Sequence, residues 1–396
     1  MSWPGNNKMS GVVATINTVY HLDNNPADER KPIQEFIPED IFVTSWTRKL
    51  AEICIDLTLC FLISLVGVVT NILVIMVFVK QKFKDSVAVS MTAIAIWDFI
   101  KCLGCCLQRL SGPISLWDAA AGESWANISV VALSYLICFV TYVSIVLAAY
   151  VAVERCLCVT IPFKVKWLIT PRNSFIICSI ISVVVFGWFA VMYGIYDIVW
   201  VYSFHFNQTI AIYVHSNFYH QHKQPLFLFY NLSGIILPVI CFVVIVASTF
   251  VIMYQLRKSS NFRSGSAQTQ CHQPEKQSRN NISVRERQVV KMLLVIIVVY
   301  VISLSPRIAH YTIKYFVYEF YFLRRYHNIF MIATYILYTF DVINAAINLF
   351  IFLAMSSAFR ATFQELFPFC YSSAPVKIGH AIVGKTSQTI SEKSQS

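Results

Sequence analysis

The chain has 396 residues, of which 57% are hydrophobic and only 13% charged, with a formal net charge of +11. Soluble domains average about 25% charged residues, so this composition excludes an ordinary soluble fold and points to a polytopic membrane protein. The positive balance calls for no nucleic acid, because the cations cluster in alternate loops between apolar runs.

Residues 1–50 are polar and carry no basic start followed by an apolar run. They read as a disordered tail exported with an uncleaved first span. Seven long apolar stretches follow, at residues 54–79, 88–110, 128–152, 175–201, 226–254, 289–305 and 329–353. Each approaches or exceeds the ~18–20 residues a helix needs to cross a bilayer, the sixth by running past Pro306. The pattern predicts an all-α membrane protein, a seven-transmembrane helix bundle over residues 51–356.

Lys80, Lys82 and Lys84 follow the first stretch, and Lys164, Lys166 and Arg172 the third. Arg257, Lys258, Arg263, Lys276, Arg279, Arg285, Arg287 and Lys291 lie between the fifth and sixth. Cationic loops face the cytoplasm, so the N-terminus is expected outside and the chain is expected in the plasma membrane. The third inner loop, about residues 257–286, is rich in Ser, Gln, Asn and Arg. Residues 357–370 read as an amphipathic helix lying on the membrane. Residues 371–396 read as a disordered cytoplasmic tail offering Thr386, Ser387, Thr389, Ser391, Ser394 and Ser396 to kinases. Cys370 is a palmitoylation candidate, with a free thiol at the membrane face as the plainer reading.

In the second outer loop Asn207-Gln208-Thr209 is a glycosylation sequon, whereas Asn127-Ile128-Ser129 lies close to the membrane. None of the twelve cysteines lies in an exterior loop, so no exterior disulfide is expected. His205, His215, His220 and His222 could bind a metal, although a polar loop is the simpler reading. No catalytic constellation or phosphate loop stands out, which argues against an enzyme. A transporter or channel is the alternative class, and the lack of an internal repeat speaks against it.

Polar side chains inside spans are costly and therefore functional candidates. Asp98, Lys101, Cys105 and Arg109 are spaced by three, four and four residues and share one helical face. Ser144 and Arg155 share a face of the third span, Asp341, Asn344 and Asn348 one of the seventh, and Arg307, Tyr311 and Lys314 one of the sixth. With Asp98 level with Asn344 and Asn348, a rise of about 1.5 Å per residue puts Lys101 about 4.5 Å further out. Asp341 comes out at a similar height, so Lys101 and Asp341 are expected to meet near Arg307.

This ordered set resembles the rhodopsin-like (class A) G-protein-coupled receptors along nearly the whole chain. Asn71 in the first span, Asp98 in the second, Glu154-Arg155-Cys156 at the end of the third and Pro162-Phe163 beyond it match the family's pattern. So do Pro238 and Pro306 in the fifth and sixth spans, Asn344 and Asn348 in the seventh, and Phe359-Arg360 after it. The chain departs from the pattern at Val130, Ser182, Val246, Leu304 and Phe352, where the family carries Cys, Trp, Tyr, Trp and Tyr. Such departures resemble a divergent invertebrate branch of chemosensory or neuropeptide type.

The resemblance implies a receptor that turns an extracellular ligand into activation of a heterotrimeric G protein, with receptor kinases and arrestin as further partners. It implies that Arg155 is the switch, clamped at rest by Glu154 and by Glu286 at the foot of the sixth span, and that Phe163 inserts into the G protein. It implies a sodium pocket at Asp98, Ser144, Asn344 and Asn348, with a hydrogen-bonded polar cluster as the alternative. Ile137 stands where amine receptors carry Asp, which argues against an amine ligand. From the residues themselves, Lys101, Arg109 and Arg307 outnumber Asp341 and predict an anionic ligand, with Thr141, Tyr142, Tyr230 and Tyr311 lining its cavity. The alternative is that these charges only pair with one another.

Overall fold

The computed structural model describes residues 40–161, 169–266, 275–321 and 324–368. Its bundle comprises α1 (Ser45–Lys80), α2 (Ser86–Gln108), α3 (Ala119–Thr160), α4 (Pro171–Ala190), α5 (Asn217–Ser266), α6 (Glu275–Phe316) and α7 (His327–Ala354). The short α8 (Ser357–Leu366) follows. Six of the seven are long and apolar enough to cross a membrane on their described residues alone. The seventh, α6, runs for 42 residues.

Local chemistry sets the helix starts. The hydroxyls of Thr44, Thr170 and Ser356 each accept from the backbone N–H three residues on, at 3.2 Å, and satisfy a donor the helix cannot. Pro171 follows Thr170 at the first helical position, where its missing N–H costs nothing. Two segments are wound more loosely as π-helix, Glu52–Cys60 in α1 and Val130–Ser134 in α3.

α3 runs through the middle and packs against α2, α4, α5 and α6; α1 packs against α2 and α7. Asn71 ties α1 to α7, its amide donating to Gly67 O at 2.8 Å and Ala345 O at 2.9 Å. Gly67 is required by the closeness of α2, since a Cβ there would lie 2.5 Å from Cys102 Sγ. Pro238 and Pro306 lie within α5 and α6. α4 and α5 turn large apolar side chains outward, among them Val183, Trp188 and Phe250, as a lipid-facing surface does.

The fourth apolar stretch is not helical to residue 201. After Ala190 the chain takes a 3-10 turn, Val191–Ile195, and then becomes strand β1 (Tyr196–Ser203). β1 pairs antiparallel with β2 (Gln208–His215), from Tyr196 opposite His215 to Ser203 opposite Gln208. Tyr, Val, Ile and Trp in this segment favour a pleated ladder, and their hydropathy alone had lengthened the predicted helix. Asn207 closes the turn in the left-handed region, at φ 53°, which Asn tolerates. The hairpin rests on the N-terminal end of α3. Asn127 donates to Ala211 O at 3.0 Å, and Ala211 N–H donates to Ser124 Oγ at 3.1 Å. All cysteines among the described residues are free thiols.

The N-terminal boundary also moves. Residues 40–50 belong to the folded unit, because α1 starts at Ser45 and Asn328 of α7 donates to Val43 O at 3.1 Å. Two departures from the resembled pattern have packing counterparts. Ser182 accepts a hydrogen bond from Trp97 of α2 at 2.8 Å, so an indole reaches this place from the neighbouring helix. Phe352 lies 5.4 Å from Phe78 and 5.2 Å from Phe359 of α8, in a cluster of aromatic rings.

Candidate functional site

Three polar layers cross the bundle. The first is at the C-terminal end of α3. Glu154 is fully buried and pairs with Arg155 at 2.7 Å. Its other contacts come from Ser90 of α2 at 2.9 Å and Ser174 of α4 at 3.4 Å. Arg155 also donates to Ser86 Oγ at 3.2 Å. The acid is thus fixed by two neighbouring helices, while the guanidinium Nε of Arg155 is buried without a hydrogen-bond partner. Cys156, next in sequence, is half-buried. Phe163, Cys370 and the side chain of Glu286 lie outside the described residues.

The middle layer centres on Asp98. Ser144 Oγ donates to its Oδ1 at 3.1 Å and Asn348 Nδ2 to its Oδ2 at 3.2 Å. Lys101 Nζ approaches Oδ1 at 2.9 Å, and both charged side chains are within 1% of complete burial. Asn344 is buried close to Tyr300. The expected meeting of Lys101 with Asp341 is therefore corrected. A lysine one turn from an aspartate on the same helix reaches it without crossing the bundle. The donor set does not fit a sodium ion, which needs oxygen lone pairs where Asp98 meets three donors.

The outermost layer joins α3, α5, α6 and α7. Arg307 pairs with Asp341 and lies 5.5 Å from the Tyr142 ring and 6.0 Å from the Tyr311 ring. Tyr142 stacks on Phe189 at 4.5 Å. The Tyr230 and Tyr311 hydroxyls lie 3.1 Å apart. Gly234 of α5 leaves room for this layer, since a Cβ there would come within 3.0 Å of the Tyr311 ring. Lys314, one turn further out, lies over Tyr230, Tyr311 and Tyr321 at 4.8, 4.7 and 5.2 Å. It has no carboxylate partner among the described residues. His310 Nδ1 is buried without a hydrogen-bond partner.

One predicted cavity residue, Arg109, is engaged away from this layer, and a second, Thr141, is buried with its hydroxyl bonded within its own helix. Arg109 pairs with Asp56 of α1 and donates to Asp56 O at 2.9 Å and Cys105 O at 3.1 Å, which fastens the outer ends of α1 and α2. The long guanidinium finds the nearest carboxylate, and Asp56 was overlooked because it interrupts an apolar run singly. Thr141 spends its hydroxyl on Ile137 O at 2.7 Å within its own helix. The unmatched cation is instead Lys314, which the spacing from Arg307 and Tyr311 had placed on the same face. Asn207 is exposed at the hairpin tip, whereas Asn127 is buried. Among the described residues no group of three or more His, Cys, Asp or Glu could hold a metal ion.

A seven-helix bundle with a buried Glu-Arg pair at its inner end and a polar core at Asp98 has the form of a G-protein-coupled receptor. The model of the serpentine type 7TM GPCR chemoreceptor Srw family matches residues 58–370, and the chain belongs to that family. It is a multi-pass membrane receptor for signal transduction and not an enzyme. Its partners by class are an extracellular ligand and a G protein. No curated protein matches the chain.

Proposed function

We propose that this chemoreceptor detects a small organic anion at the plasma membrane, with its N-terminus outside, and passes the signal to a heterotrimeric G protein. The observation that carries the ligand class is Lys314. A buried ammonium without a carboxylate is costly. Three tyrosine faces compensate by about 0.5–2 kcal/mol each and leave demand for a negative partner. A carboxylate entering between α3, α5 and α6 would supply it.

At the inner end the reading rests on the Glu154–Arg155 pair. Ligand binding tilts the population toward a packing in which α6 moves outward and Arg155 turns from Glu154 to the G protein. Receptor kinases acting on the C-terminal tail, followed by arrestin, would end the signal. The test is a panel of small carboxylates applied to cells expressing the receptor, with calcium and cyclic AMP as readouts. Arg155→Ala should abolish the response without removing the receptor from the surface. A response confined to cationic compounds would overturn the ligand class, and an undiminished response in Arg155→Ala would overturn the switch.

A further inference from the structure

The Asp98 layer supports an inference independent of the ligand. Its carboxylate faces one formal charge of opposite sign, the Lys101 ammonium, and two neutral donors, Ser144 and Asn348. The pair is neutral overall and almost wholly screened from solvent. Adding an alkali ion would leave one uncompensated positive charge in a low-dielectric interior, which is strongly unfavourable. The geometry agrees. Oδ1 is approached by both Lys101 and Ser144, and Oδ2 receives the Asn348 amide, so no carboxylate oxygen is left with its lone pairs free on every side.

We propose that Lys101 is the resident cation of this pocket, a tethered ammonium that takes the place of sodium beside the Asp98 carboxylate, which itself joins α2 to α3 and α7. A diffusible ion stabilises by mass action, in proportion to its concentration relative to its dissociation constant. A side-chain ammonium three residues from its carboxylate is present at every ionic composition. It can swing, but it cannot leave. The receptor's resting packing is therefore insensitive to external sodium, and the selectivity against sodium lies in one residue.

The test uses the full-length receptor purified in detergent, unfolded thermally in sodium chloride and in choline chloride at matched ionic strength. The wild type should unfold at the same temperature in both salts. Lys101→Met, which keeps the length and removes the charge, should gain a saturable sodium-specific rise of roughly 2–4 °C at ten times the half-saturating concentration. The double variant Lys101→Met/Asp98→Asn should lose that rise. Lys101→Gln provides a second neutral variant if the methionine form does not fold. A sodium-specific rise in the wild type, abolished by Ser144→Ala, would overturn the proposal. So would neutral Lys101 variants that fold yet ignore sodium, because another feature would then exclude the ion.

Discussion

Two buried lysines separate the middle of the bundle from its outer end. Lys101 is 1% exposed and meets the Asp98 carboxylate at 2.9 Å, whereas Lys314 is 9% exposed and meets only the faces of three tyrosines. The first charge is cancelled by a partner on its own helix and serves the architecture. The second is softened by quadrupoles and is the charge to which we assign the proposed anionic ligand. Burial alone therefore does not distinguish a structural charge from a recognition charge; the sign of what surrounds it does.

The strongest way to break this contrast is Asp98→Ala. It strands Lys101 without a counter-charge and should destabilise the receptor by about 3–5 kcal/mol, read as lost surface expression and a lowered unfolding temperature. Asp98→Asn with Lys101→Met should recover most of the loss, because no charge is then left unpaired. Lys314→Met should behave oppositely. Folding should change by no more than about 1 kcal/mol, since lost cation–π contacts are offset by relief of desolvation. The concentration of an anionic agonist needed for half response should rise roughly 10- to 100-fold, the worth of a charge-assisted hydrogen bond. Equal stability losses at the two lysines would erase the distinction.

Smaller effects are expected at the outer roof. Asn127→Ala removes the hydrogen bond to Ala211 O and should cost about 1 kcal/mol, seen as faster hydrogen exchange in β2. The least effect is pH-dependent. Burial, with His220 and Lys223 nearby, pushes the His215 imidazole below its ordinary 6.5. The folded hairpin thus prefers the neutral ring, which stacks on Tyr196 and Tyr219. Its contribution is complete above about pH 6.5 and fades as the pH falls through the lowered value. Hydrogen exchange in β2 should quicken mildly on acidification, and His215→Gln should flatten that response.

Much of this was legible in the sequence because it follows from periodicity. The apolar runs mark the spans, and the i, i+3, i+7, i+11 spacing of Asp98, Lys101, Cys105 and Arg109 marks one face. Which partner each charge chooses was not legible, because that depends on distances between helices. Lys101 was aligned by depth with Asp341, yet Asp98 lies closer on the same helix. Arg109 turns to Asp56, a residue with no conspicuous neighbours in sequence. The hairpin was hidden because Val199, Trp200 and Val201 extend an apolar run whose period cannot be judged over so short a stretch. Lys314 was visible on its stripe, but its isolation from carboxylates emerges only from three dimensions.

The hairpin is fastened to α3 through Asn127, Ser124 and Ala211, and every cysteine among the described residues is a free thiol. With no covalent strap, the roof is held by an equilibrium. A reducing agent leaves it in place, and its opening is governed by the few contacts that dock it.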